Sequence, residues 1–126
     1  MTTAREHRGG IGIFENTHGV SVQRLAPCAT GEQTAAELAA EARHADVIFF
    51  SAVTFDTGLV VPIAPPAEAA KKHGALLICD AAQAVGQLPF AVDGLDACVL
   101  SGGKWLGGPP ASGALWLAPR FRELTL

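Results

Sequence analysis

Charge is scarce in this sequence: Asp, Glu, Lys and Arg make up only 17% of its 126 residues, and the formal balance of -3 carries no block of like sign. Such a surface gives no reason to expect nucleic acid or an anionic membrane as a partner. Long apolar runs are lacking as well, since "DVIFF" and "GALLIC" fall well short of the roughly 18 residues that span a bilayer. No basic-then-apolar pattern opens the chain, and the expectation is a cytoplasmic protein. Cysteine is sparse and odd in number. Cys28, Cys79 and Cys98 show no CxxC spacing and the last two sit inside apolar runs, which predicts buried reduced thiols and neither ligands nor disulfides. The histidines His7, His18, His44 and His73 are scattered, so no metal site is expected.

What is abundant is apolar material, at 49% of the chain. That suits one globular domain with a sizeable core, although the length is short for an enzyme. "GVSVQRLA" from Gly19 to Ala26 alternates loosely and predicts a strand. In "TAAELAAEARHA" the period lengthens, with Ala35, Leu38, Ala39 and Ala42 on one helical face, and Thr34 followed by Glu37 fits a capping box. "DVIFFSAVT" from Asp46 reads as a strand covered on both faces. A second helix is expected to start near Pro65 or Pro66 and to end at Gly74, after Lys71, Lys72 and His73. "ALLICD", "DACVLSGG" and "SGALWLAP" supply three more strands. This alternation defines an α/β layer with a mostly parallel sheet, in which ligands bind beyond the carboxyl ends of the strands. The segment 1–18 has weak periodicity and stays poorly defined, leaving residues 19–126 as the α/β core of a single domain.

The polar residues fall where that rule places a ligand. Asp80 ends "ALLICD", Gln83 follows in "DAAQAVG", Ser51 ends "VIFFS", and Lys104 sits in "LSGGKWLGGPP" beyond a later strand. Each has an ordinary alternative: a cap for Asp80, a surface amide for Gln83, a solvated turn for Lys104. Gly102, Gly103, Gly107 and Gly108 have one too, as turn residues with positive φ. Together, a carboxylate, an amide and an amine are the parts that pyridoxal phosphate chemistry needs. The carboxylate keeps the pyridine nitrogen protonated, and burial at an apolar strand end leaves the amine nucleophilic.

At this point "DVIFFSAVTFDTGLVVPIAPPAEAAKKHGALLICDAAQAVGQLPFAVDGLDACVLSGGKWLGGPPASGALWLAPRF", Asp46 to Phe121, resembles the core of the class V aminotransferase group of fold-type I pyridoxal-phosphate enzymes. That group includes cysteine desulfurases, selenocysteine lyases, kynureninases and isopenicillin N epimerase-like proteins. The resemblance implies part of a three-layer αβα large domain. It makes Lys104 the Schiff-base lysine, Asp80 the partner of the pyridine nitrogen, Gln83 a donor to the phenolic oxygen and Ser101 a contact of the phosphate. Glu6-His7 resembles the family's "EH" pair, whose histidine stacks on the ring. The sequence also departs from the pattern. Gly103 stands where a histidine usually precedes the lysine, and "SAVTFDTG" offers Thr54 and Phe55 where desulfurases commonly carry an asparagine.

An aromatic at that place is more like the kynureninase and epimerase branches. Family members run to about three times this length, so the phosphate-holding helix start, the small domain, the carboxylate-binding arginine and the desulfurase cysteine loop have no counterpart here. The implied function is a pyridoxal 5'-phosphate enzyme domain of desulfurase or lyase type. It would act on an amino acid as a truncated form and, following the family, as a homodimer. The alternatives are a non-catalytic remnant that keeps the fold, or a kynureninase- or epimerase-like segment.

Overall fold

The apolar runs pair side by side in the middle of one sheet. The computed structural model describes residues 1–120, so the last six positions of the 19–126 core expected above lie outside the described residues. Six strands, β1 (Thr2–Thr3), β2 (Arg24–Leu25), β3 (Val47–Ser51), β4 (Leu76–Asp80), β5 (Ala97–Ser101) and β6 (Gly113–Leu117), form a sheet of order β2-β1-β3-β4-β5-β6. All neighbours run parallel except β5 and β6, which are antiparallel. Among the described residues, the helices α1 (Arg8–Glu15), α2 (Gly31–Glu41) and α3 (Ala64–His73) and a 3-10 turn at Ala42–His44 accompany the sheet.

Strand pleating sorts the side chains into two faces. Ile48, Phe50, Leu77, Cys79 and Cys98 join Ala35, Leu38, Ala42, Ala67 and Ala70 of the helical side in one buried core. The small alanines let α2 and α3 lie close to the sheet. Phe49, Ser51, Ile78, Asp80, Val99 and Ser101 line the opposite face, which α1 partly covers. There Phe14 stacks obliquely on Phe49 with ring centroids 5.4 Å apart. Cys79 and Cys98 are register partners on β4 and β5, both buried and unbridged, while Cys28 is half-buried. The adjacent Cys98 thiol, followed by burial, pushes the Cys79 thiol up, so it stays protonated and inert. Among the described residues, no helix is long and apolar enough to cross a membrane and no cluster of His, Cys, Asp and Glu could hold a metal ion.

Three expectations need correction. The segment 1–18 is ordered into β1 and α1, which gives the sheet the opening strand its pattern did not reveal. The strand expected over Gly19–Ala26 shrinks to Arg24–Leu25, because an edge strand can pair only along its partner and β1 offers only Thr2 and Thr3. The cap of α2 is Thr30, whose hydroxyl accepts from Gln33 N at 3.2 Å; Thr34 lies buried one turn later with its own hydroxyl bonded to Thr30 O. The end of α3 follows expectation, with Gly74 at φ 76 closing it.

Candidate active site

Three parallel strands end beside one another, and their last residues open a cleft. Ser51 and Asp80 are register partners, Asp80 pairs in turn with Val99 of β5, and Ser101 closes that strand. A cleft of about 710 Å³ there is lined by His7, Ser51, Asp80, Gln83, Ser101 and Lys104, together with apolar residues of the open sheet face. The sequence-predicted residues therefore surround one space. Asp80 Oδ1 accepts from Ala82 N at 2.8 Å, which ties the carboxylate to the turn that carries Gln83. No described residue donates to Oδ2, the oxygen that comes within 3.4 Å of where a Cβ on Gly10 would stand. The same Cβ would sit 2.8 Å from Phe49 Cζ, so glycine at this point in α1 allows the helix to approach the sheet above Asp80.

His7 starts α1 as its cap, with Nδ1 accepting from Gly9 N at 3.1 Å, which leaves the proton on Nε2. Its ring meets Phe55 edge-on, at 5.2 Å and 85°. Thr54, the neighbour of that aromatic, turns inward: its hydroxyl accepts from Leu59 N at 3.0 Å and shares a hydrogen bond with Thr57.

The burial expected at Lys104 and the alternative reading of its four glycines as positive-φ turn residues both fail. Lys104 is exposed on the loop between β5 and β6, so the burial expected to make its amine nucleophilic is not supplied by the described residues. Of the four glycines around it only Gly107 has a positive φ, at 65°. The others serve close approach: a Cβ on Gly102 would lie 2.4 Å from Ser112 Oγ, on Gly108 3.0 Å from Gly102 O, and on Gly103 3.1 Å from Pro109 O. At position 103 the folded-back prolines thus crowd the place where the family pattern has a side chain.

Neither Glu6 nor Trp105 stands out in the sequence as a functional residue in its own right. Glu6 is buried behind His7, and its carboxylate accepts from Thr3 Oγ1 at 2.6 Å, Ser51 N at 3.2 Å and Ser51 Oγ at 2.6 Å. It fastens the end of β3 to the segment that leads into α1. Its signal was the adjacency to His7, but exposure cannot be read from one glutamate. Burial pushes the Glu6 carboxyl above the usual range, hydrogen bonds from Ser51 and Thr3 oppose the rise, and the charge of Asp80 adds to it. A carboxyl raised in the folded state contributes stability that is fully present below its unfolded pKa and is lost as pH rises through the folded one. Glu6→Gln keeps an acceptor for Thr3 and Ser51. It is expected to match the parent near about pH 4 and to gain on it steadily toward neutrality, measured by urea unfolding across that range; parallel curves would contradict a raised Glu6.

A mostly parallel sheet with polar residues gathered at its carboxyl ends and an antiparallel last strand is the large-domain layer of fold-type I pyridoxal-phosphate enzymes. Within that class the sequence profile of "Aminotransferase class-V" matches residues 1–124, and the chain belongs to this family. It is 36% identical over 125 residues to an "IscS-like cysteine desulfurase" of Mycobacterium tuberculosis, covering 93% of this chain and 32% of that protein. It is 39% identical over 101 residues to an "Isopenicillin N epimerase" of Streptomyces clavuligerus, covering 78% and 25%. Among solved structures it superposes on the cystine C-S lyase C-DES, in complex with its product cysteine persulfide, with a TM-score of 0.81, 26% identity and coverage of 95% and 35%. The chain spans about a third of the length of the curated relatives it matches. Its relatives and structural neighbours are pyridoxal-phosphate enzymes.

Proposed function

We propose that this chain is a pyridoxal-phosphate domain acting on an amino acid, of cysteine desulfurase or lyase type. The observation that carries the reading is the convergence of His7, Asp80, Gln83, Ser101 and Lys104 on one cleft at the carboxyl ends of parallel strands. The residues fit the group. Asp80 keeps Oδ2 free to accept from a protonated ring nitrogen, the Nε2-H imidazole of His7 stands at the cleft as a flat neighbour for the ring, and the Ser101 hydroxyl is a donor for phosphate. Lys104 brings the amine that would hold the cofactor and that would give or take a proton at the substrate carbon. When bound, the cofactor supplies an electron sink for charge developing at the Cα of an amino acid. We further propose a homodimer, by family resemblance, with the cytoplasm as the compartment expected from the sequence.

A second reading, a fragment that keeps the fold and some cofactor affinity without turnover, is favoured by the exposure of Lys104. Absorbance separates the possibilities. The full chain mixed with pyridoxal phosphate is expected to hold a band near the visible edge through gel filtration, and Lys104→Ala is expected to lose it. A parent chain without the band would sink the cofactor reading. A band without sulfide or alanine release from cysteine would favour the second reading, and activity on kynurenine instead would move the substrate to another branch.

A further inference from the structure

We propose that Trp105 is a positioning residue that fixes which end of the Gln83 carboxamide faces the cleft, an inference that rests on the cofactor reading above. Trp105 Nε1 donates to Gln83 Oε1 at 3.0 Å. An indole nitrogen has a hydrogen to give and no lone pair to offer, so the amide must turn its oxygen toward it. The NH2 end is left for the cleft, which Gln83 lines with Asp80. A side chain held this way can only donate, and it suits an anionic oxygen such as the phenolic oxygen of a pyridoxal ring. Without the indole the amide is free to flip, and the flipped form presents oxygen to oxygen.

The backbone is arranged for this contact. Gly86, at φ 91, lies against the Trp105 main chain so closely that a Cβ would meet its carbonyl carbon at 2.9 Å and its oxygen at 3.0 Å. The turn bearing Asp80 and Gln83 is thereby docked on the loop bearing Lys104. Trp105 leaves 53% of its surface exposed, so burial does not account for its placement.

Trp105→Phe keeps a ring at the docking point and removes the N–H. On the full chain with pyridoxal phosphate, it is expected to weaken cofactor uptake about fivefold, the weight of one neutral hydrogen bond. The pH midpoint of the bound chromophore's colour change is expected to rise by roughly half a unit, because a donor that opposed protonation beside the ring oxygen is lost. Gln83→Ala is expected to move the midpoint equally, and the double variant no further. Gln83→Glu, which still accepts from the indole but offers no donor to the ring, is expected to move it further in the same direction.

An unmoved midpoint in Trp105→Phe, or shifts that add in the double variant, would overturn the proposal while leaving the cofactor reading intact. A parent chain that takes up no pyridoxal phosphate would overturn both. Urea unfolding of Trp105→Phe is expected to match the parent closely, so a cofactor effect that only tracks lost stability would count against the proposal.

Discussion

Gly31→Ala is expected to cost about 3 kcal/mol or more of stability, read as a lowered urea midpoint with the helical signal retained below it. Gly31 opens α2 directly after the Thr30 cap. A Cβ built there would stand 1.6 Å from Val60 O, 2.5 Å from Val60 C and 3.2 Å from Val61 N. Those are main-chain atoms that cannot rotate aside, and they are pinned in turn. Val61 N donates to Ala52 O at 2.8 Å, and Val53 bridges Val60. The only relief is for α2 to retreat, which opens the core around Ala35 and Leu38. A methyl at Gly12, by contrast, meets nothing within 4 Å. If Gly31→Ala unfolds at the parent's midpoint, the close approach of α2 to residues 60–61 is wrong.

Asp96→Ala is the second large loss, expected at about 2–4 kcal/mol by the same measurement. The Asp96 side chain is fully buried, and its Oδ2 accepts from Leu77 N at 2.8 Å and from the Arg120 guanidinium at 2.6 Å, which also reaches Oδ1 through Nε. Its own amide donates to Leu77 O and its carbonyl accepts from Ala118 N, each at 2.8 Å. One residue therefore joins the starts of β4 and β5 to the chain leaving β6. Truncation strands the buried Leu77 N–H, whereas Arg120, about half exposed, regains water. Asp96→Asn keeps an acceptor for Leu77 N but loses the charge and the oxygen that faces Arg120 Nε, which can turn to water, so its loss is expected to be the smaller of the two. Equal losses would mean that the ion pair, and not the amide partner, carries the effect.

How far the sequence revealed this structure varied along the chain, for physical reasons. The strands β3 to β5 were legible because buried parallel strands leave continuous apolar runs, β6 because its short apolar stretch follows a glycine- and proline-rich turn, and α3 because Gly74 ends it in a left-handed conformation. Asp80, Gln83, Ser51 and Lys104 were legible as a group because strand ends are where this topology gathers ligands, whereas Ser101 was legible only through the family resemblance. What did not show was α1: "RGGIGIFE" is poor in helix formers, and the helix rests on the His7 cap and on Ile11 and Gly10 packed to the sheet. Nor did β1 show, since a two-residue strand leaves no period to detect. The exposure of Lys104 was misjudged because an apolar strand says nothing of where the loop beyond it turns, and here that loop folds back on its own prolines. The Trp105–Gln83 contact spans 22 residues, beyond the reach of any local pattern.

The antiparallel turn-back of β6 also bears on the order in which the sheet assembles. Ser101 meets Gly113 across the short connection 102–112, so β5 and β6 close a small loop. The sheet's other end is different: the Met1 ammonium donates to Val47 O across 46 residues, and Thr2 pairs with Phe49. Loop-closure entropy penalises the longer connection by about 1 kcal/mol more, before helix α2 has any surface to pack on. Chain entropy thus ranks the Lys104 hairpin among the first contacts to form and the His7 side of the cleft among the last, with the cleft completed only when the chain's opening residues dock.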